Sequence, residues 1–179
     1  MRLEALAIAL VGIAGLRPQS LGVEFPDGRV AFDHPPAFVA ANTHSPPVGL
    51  THTTYNFIVQ IPTTAGEPLA PLDIQQLSSI ETIYFLPQRT RAFVGERSHR
   101  PIPLGEVKFD GTSARLSVTF DPPVSAGSYL RLKVAPLRNP YWDGTYLFAV
   151  TAFPRGGDRA LGQNLGTGRL QFYRNSHFF

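Results

Sequence analysis

The chain has 179 residues, of which 43% are hydrophobic and 16% charged, so it can bury the core of one domain of ordinary size. Its net charge of +3 is small and its basic residues do not cluster, which argues against a nucleic-acid partner. The absence of cysteine excludes disulfides, zinc–thiolate sites, iron–sulfur clusters and thiol nucleophiles.

The first predicted element is an apolar N-terminal segment. Residues 5–16 form an uncharged run that is shorter than the roughly 20 residues of a membrane-spanning helix but suits a secretory signal. A buried first strand or an amphipathic helix is the alternative. We therefore assign residues 1–22 to a signal peptide or N-terminal apolar segment and residues 23–179 to a single β-sandwich domain, with no stable transmembrane span after processing.

The next part of the chain is rich in turns. Between residues 23 and 54, paired prolines and a Pro-Asp-Gly turn predict an arm with short strands near 29–32 and 38–40. Regular alternation begins at residues 55–61, where aromatic and branched side chains share one face of a strand.

The middle of the chain is harder to assign. Residues 68–80 fit either a short helix or a strand over 72–76, because prolines shorten any helix there. Residues 81–85 predict a strand that ends at Pro87. The inward face switches at Gly105, which predicts a bulge or bend.

The strands of the C-terminal half have clearer patterns. Residues 115–120 and 129–134 alternate apolar and polar side chains, with a long turn at 121–128 between them. Residues 145–153 are apolar on both faces, which predicts a central strand covered on both sides. A glycine-rich loop then leads to a last strand at 169–173.

These elements predict the fold class. About eight short strands with scarcely a helix indicate an all-β protein, an antiparallel β-sandwich of immunoglobulin-like type with a turn-rich N-terminal arm.

Sequence motifs for catalysis are weak. The chain has no GxSxG elbow and no GxxxxGK[ST] loop, and its carboxylates form no pair with the spacing of a glycosidase. We therefore expect no enzymatic activity and no cofactor.

Three histidines of the arm are weak candidates for a metal site. His34, His44 and His52 could meet through loops in a copper or zinc centre, although solvated loop histidines are the commoner case.

The loop "NPYWDG" carries the candidate binding residues. Tyr141 and Trp142, with Arg138 beside them, could stack on sugar rings or form cation–π contacts. Alternatively, Trp142 plugs the end of the sandwich and Tyr146 packs in the sheet. Asp143 is a further ligand-binding candidate, and a turn aspartate that caps backbone amides would equally explain it.

Several blocks of sequence together resemble one family. They occur in this order: "IPTTAGEPLAPLDIQQ", "RAFVGE", "VTFDPPVSAGS", "APLRNP" with "DGTYLFAVTAFPRG", and "LGTGRLQFY". Over residues 25–173 the chain resembles the cyanobacterial family of exported proteins catalogued as domain of unknown function 2808. The resemblance implies a cyanobacterial protein of the periplasm, the cell envelope or the thylakoid lumen. It implies no catalytic residue and no ligand.

Three functions remain as expectations. The first is an exported, non-enzymatic structural or binding module of the cell envelope, with an envelope polysaccharide or another envelope protein as partner. The second is a polysaccharide-binding domain that uses the Tyr141 and Trp142 loop. The third is an extracytoplasmic copper or zinc protein that uses the arm histidines.

Overall fold

A computed structural model describes residues 22–96 and 100–174 of the chain. The apolar segment predicted as a signal therefore lies outside the described residues, except for Gly22. No helix in the described part is long and apolar enough to cross a membrane.

Two five-stranded antiparallel sheets make up most of the described structure. Sheet I has the strand order β3-β4-β10-β6-β7, and sheet II has the order β12-β11-β5-β9-β8. The strands of sheet I are β3 (Ala37–Thr43), β4 (Tyr55–Gln60), β6 (Arg91–Val94), β7 (Arg100–Ile102) and β10 (Tyr129–Val134). Those of sheet II are β5 (Leu69–Gln76), β8 (Leu104–Asp110), β9 (Arg115–Val124), β11 (Gly144–Pro154) and β12 (Gln163–Phe172).

The remaining elements are short. Strands β1 (Val23–Glu24) and β2 (Val30–Ala31) form a small hairpin, and two 3-10 turns cover Pro87–Arg89 and Gly157–Arg159. The structure confirms the predicted all-β antiparallel sandwich of immunoglobulin-like type. The described residues contain more strands than the eight expected, because very short strands leave little pattern in a sequence.

The core lies between the two sheets and is built from side chains that alternate inward. Phe148 of β11 is fully buried and meets Phe57 of β4 edge-to-face, with ring centroids 5.6 Å apart. The ring of Phe85 also packs on Phe148, with the two ring centroids 6.1 Å apart. Burial of one such side chain contributes about 1.5–3 kcal/mol, so the phenylalanines between the sheets are a large part of the folding free energy.

The sandwich closes along the side where edge strands β3 and β12 meet. A Cβ atom on Gly168 would lie 2.9 Å from the Cβ of Ala41 and 3.0 Å from Cζ of Phe38. Glycine at position 168 therefore allows the two sheets to approach closely at this edge.

One predicted strand is absent and one ambiguous segment is resolved. Residues 68–80 contribute strand β5 rather than a helix. The strand predicted at residues 81–85 is wrong, since only Phe85 forms a single bridge there. The backbone of this segment is hydrogen-bonded to the side chain of Gln76 instead of to another strand. The Oε1 of Gln76 accepts from the Ile83 amide at 2.8 Å, and its Nε2 donates to the Glu81 carbonyl at 2.7 Å.

Two predicted turns are also corrected. Strand β9 continues through Pro122 and Pro123 to Val124, because the ladder with β5 changes register in this region and needs no amide donor from proline. Strand β12 begins at Gln163, inside the predicted glycine-rich loop. The predicted bend at Gly105 is confirmed by a register shift between Leu104 and Val107.

The prediction that residues 145–153 are covered on both faces is wrong. Strand β11 is hydrogen-bonded on both sides, to β5 and β12, but only one of its faces lies in the core. Leu147 on the other face is 36% exposed, whereas its neighbour Phe148 is 0% exposed. The outer face stays apolar because adjacent side chains half-cover it, and no further layer packs on it among the described residues.

We expect Phe148→Ala to lower the free energy of unfolding by about 3–5 kcal/mol, because the cavity lies in the dense centre of the core. The matched variant Leu147→Ala removes a side chain from the half-open face and should cost less than about 1 kcal/mol. Urea denaturation of both variants measures the difference. Equal losses would mean that both faces of β11 are covered.

Candidate functional site at the aromatic end

One end of the sandwich is formed by three loops, residues 44–54, 77–86 and 135–143, which we call the aromatic end. Backbone hydrogen bonds join these loops directly. The amide of Gly49 donates to the carbonyl of Pro140 at 2.9 Å, and the amide of Leu137 donates to the carbonyl of Tyr84 at 2.7 Å. The three loops therefore form one connected surface.

A buried asparagine, Asn139, holds two of the loops together. Its side chain is 0% exposed and all of its polar atoms are paired. Its Oδ1 accepts from the hydroxyls of Thr53 (2.9 Å) and Tyr55 (2.8 Å), its Nδ2 donates to the carbonyls of Ser45 and Pro47 (2.7 Å each), and its amide donates to Leu50 O (2.7 Å). Burial raises the pKa of the Tyr55 phenol, which keeps it neutral and able to donate.

Glu81 fixes the third loop to the same surface. One of its carboxylate oxygens accepts from the backbone amide of Tyr141 at 2.7 Å, and the other accepts from Nη2 of Arg138 at 3.2 Å. A carboxylate that binds both a backbone amide and a guanidinium makes two charge-assisted hydrogen bonds. The backbone of the aromatic loop is thus held by a residue about 60 positions earlier in the chain.

The two aromatic side chains on this loop face solvent. Tyr141 is 59% exposed and Trp142 is 52% exposed, so Trp142 does not form the buried plug expected in the alternative interpretation. Tyr146 is 2% exposed and lies in the sheet as expected, with its hydroxyl donating to the Trp142 carbonyl at 3.1 Å. The backbone of Trp142 is therefore held by a hydrogen bond while its ring is exposed to solvent.

Cations stack on both rings. The guanidinium carbon of Arg138 lies 4.1 Å from the Tyr141 ring centroid, and that of Arg174 lies 6.0 Å from the Trp142 ring. Asp143 pairs with Arg174, with Oδ1 and Nε 3.4 Å apart, rather than capping backbone amides of its own turn. The structure therefore brings the four predicted residues Arg138, Tyr141, Trp142 and Asp143 to one surface.

Several residues of this surface could not be predicted from the sequence. Glu81 and Arg174 are far from the loop along the chain, and nothing in their local patterns marks them. Gly49 has φ +69°, and a Cβ atom there would lie 3.5 Å from Cδ1 of Tyr141, so the tyrosine ring packs over this glycine. Tyr84 and Leu137, 53% and 51% exposed, extend the apolar surface.

The three arm histidines do not share one site. His34 precedes strand β3 and contacts the carbonyl of Thr64, whereas His44 follows β3 and His52 lies farther along the same loop. The seven residues of β3 span about 20 Å, while zinc–imidazole bonds are about 2 Å long. Within residues 22–96 and 100–174, no three His, Asp or Glu side chains group as metal ligands.

Among the described residues, the carboxylates with a shifted pKa lie in a turn or directly before one. A hydrogen bond from the backbone amide of Arg29 lowers the pKa of Asp27, and a hydrogen bond from the Ser113 hydroxyl lowers that of Asp110. Both groups are exposed and brace their own turns. At the end of the sandwich opposite the aromatic loops, a cleft of about 430 Å³ is lined by a single carboxylate, Glu96.

We expect Asn139→Ala to destabilise the fold by at least about 3 kcal/mol, because it leaves buried hydroxyls and carbonyls without partners. The corresponding fall in Tm is about 6–12 °C for a domain of this size. Asn164→Ala is the control: this exposed side chain accepts only the Gly166 amide, and its loss should shift Tm by less than about 3 °C. Similar shifts for both variants would refute the structural role of Asn139.

Comparisons with solved structures found distant matches. A collagen-binding domain from a Staphylococcus aureus adhesin matches with a TM-score of 0.39 and 9% identity, over 69% of this chain and 89% of that one. The collagen-binding subdomain of the Enterococcus faecalis surface protein ACE matches with a TM-score of 0.46 and 9% identity, over 78% and 98%. A longer S. aureus collagen adhesin matches with a TM-score of 0.45 and 7% identity, over 75% of this chain and 48% of its own.

Sequence comparison gives a firmer result. No curated protein matches the chain. The model of the family described as Protein of unknown function (DUF2808) matches residues 29–172, which include both sheets and the aromatic end. The chain therefore belongs to the DUF2808 family.

Proposed function

We propose that the chain is an exported, non-enzymatic binding module of the cyanobacterial cell envelope, and that its aromatic end binds polysaccharide. The observation that carries this proposal is the pair Tyr141 and Trp142, each more than half exposed on a loop whose backbone is anchored from below. Large aromatic side chains are usually buried, so two exposed neighbours need a reason.

The loop is held in place before a ligand binds, which favours binding of a sugar ring. Glu81 and Asn139 restrain the loop before a ligand arrives, so little conformational entropy is lost on association. The guanidinium of Arg138 already stacks on the Tyr141 ring, which limits the rotamers of both side chains. A sugar ring offers C–H groups to an aromatic face and hydroxyls to the nearby charged groups.

The N-terminal apolar run and the family resemblance support the proposed export. Under this proposal residues 1–22 act as a signal peptide and residues 23–179 form the mature single domain. Strand β1 begins at Val23, directly after the proposed cleavage position. An envelope polysaccharide is then available to the aromatic end, and the periplasm, cell surface and thylakoid lumen are the compartments to compare.

Retention in a native gel that contains hydroxyethyl cellulose or xyloglucan tests the aromatic end. We expect Trp142→Ala to weaken retention about tenfold, a typical effect of removing a central aromatic contact. Its Tm should move by less than about 3 °C because the side chain is 52% exposed.

Phe25→Ala provides the matched control for this measurement. Phe25 is also exposed and also carries an arginine near its ring, Arg29 at 5.8 Å, but it lies in the N-terminal arm. Its removal should leave retention unchanged. Two results for Trp142→Ala would contradict the proposed site: a large fall in its Tm, or retention equal to that of the wild type.

Mass spectrometry of the protein from fractionated cells tests export. We expect an extracytoplasmic form that lacks the first 22 residues. A cytoplasmic protein with an intact N-terminal segment would contradict the proposal without bearing on the binding surface.

A further inference from the structure

The strands of sheet I carry charges of one sign only. Their charged residues are Arg91, Arg100, Arg131 and Lys133, and none of their residues is aspartate or glutamate. Sheet II differs, since its strands carry both acids and bases, such as Asp73 and Arg115, which form an ion pair at 3.5 Å. The outer face of sheet I, with Arg91, Phe93, Tyr129, Arg131 and Lys133, is here called the cationic face.

The strand register places like charges next to each other on this face. Lys133 of β10 lies directly opposite Arg91 of β6, and on its other side it faces the neutral Asn56. Like charges at directly opposed positions destabilise a sheet. The Nζ of Lys133 lies 5.1 Å from the ring centroid of Phe93, a contact that orients the ammonium group without neutralising it.

Among the described residues, no carboxylate forms an ion pair with a cation of this face. The ion pairs found there involve loops and sheet II, and none includes Arg91, Arg131 or Lys133. Arg91 donates through Nη1 to the carbonyls of Gln88 and Thr90, which holds its guanidinium in place. The Nε of Arg131 is buried and finds no acceptor.

We propose that the cationic face binds an acidic polysaccharide, with Arg131 and Lys133 contacting its carboxylates and the rings of Tyr129 and Phe93 lying against its sugars. This is a second surface, separate from the aromatic end, and it does not depend on the function proposed there. Guanidinium groups bind carboxylates in a planar, two-point geometry, which favours this class of anion.

The shape of the face favours a chain-like ligand. Tyr129, Arg131 and Lys133 occupy alternate positions of β10, so they repeat about every 6.7 Å along a line. Concavities of about 430 and 420 Å³ flank the sheet; the first is lined by Arg100 and by the carboxylate Glu96, and the second by Arg91 without a carboxylate. A polymer with regularly spaced acidic groups can lie across this row.

Two other anionic partners fit less well. Val39 of the edge strand β3 is 47% exposed, but Ile58 is only 7% exposed and Phe93 and Tyr129 are half-buried, so the strands that carry the cations offer little apolar surface to a lipid bilayer. Strand β10 is hydrogen-bonded on both sides, to β4 and β6, so it offers no free backbone groups to an acidic peptide strand.

Native gels with carboxymethyl cellulose or hydroxyethyl cellulose test the proposal, because the two polymers share a backbone and differ in charge. We expect the wild-type chain to be retained about tenfold more strongly by the carboxymethylated polymer, and the excess to disappear at about 0.5 M salt. Arg131→Gln with Lys133→Gln should remove this excess. Arg169→Gln, which removes an exposed cation from β12 of sheet II, should keep it.

Stability measurements make the result specific to binding. Lys133→Gln relieves the repulsion from Arg91 and loses the contact with Phe93, so its Tm should stay within about 3 °C of wild type. If the double variant unfolds, Lys133→Gln alone serves as the test. We then expect the excess retention by the carboxymethylated polymer to fall about threefold.

Three outcomes would overturn the proposal. The first is no excess retention by the charged polymer, and the second is an unchanged excess in the folded variants. The third is binding to phosphatidylglycerol vesicles, but not to the charged polymer, that is lost in the same variants. Trp142→Ala should lower retention by the uncharged polymer and keep the salt-sensitive excess retention by the charged one, so a failure of the aromatic end and a failure of the cationic face give different results.

Discussion

The loops at the aromatic end depend on the rule that buried polar groups must be paired. Asn139 satisfies this rule with a single side chain, which accepts from two hydroxyls of the 53–55 region and donates to two carbonyls of the 44–54 loop. Without it, both segments would carry unpaired groups in a site closed to water. Asn139 lies two residues before Tyr141 in the loop that presents the aromatic pair, so the exposed rings depend on a buried amide.

Alternating patterns in the sequence predicted the regular strands because the pattern itself records burial. Leu116, Val118 and Phe120 of β9 are buried, as are Leu130, Leu132 and Val134 of β10. The patterns wrongly predicted a strand at residues 81–85, where the amide of Ile83 donates to the side chain of Gln76 instead of to a neighbouring strand. They also failed for β11, since apolar side chains on a half-covered outer face look the same in a sequence as side chains in a core.

The candidate site was only partly predictable. An aromatic pair on a proline-marked turn stands out in a sequence, and Tyr141 and Trp142 were identified in this way. Whether a tryptophan is buried or exposed depends on what contacts its loop from elsewhere in the chain, and here Glu81 binds the loop backbone while both rings remain more than half exposed. The cationic face depends on which strands become neighbours, so the opposition of Lys133 and Arg91 has no local signature.

The glycine at position 168 has an effect beyond the edge at which it lies. It allows the two sheets to approach closely at this edge, and the chain then runs five residues further, about 17 Å, past the end of β12 at Phe172 to Tyr173 at the aromatic end. Because β12 pairs with β11 along its length, a bulkier residue at position 168 would press the whole edge of sheet II away from β3. Arg174 beside the Trp142 ring would move with it. We therefore expect the position of Arg174 beside the Trp142 ring to respond to the packing at the edge between the two sheets.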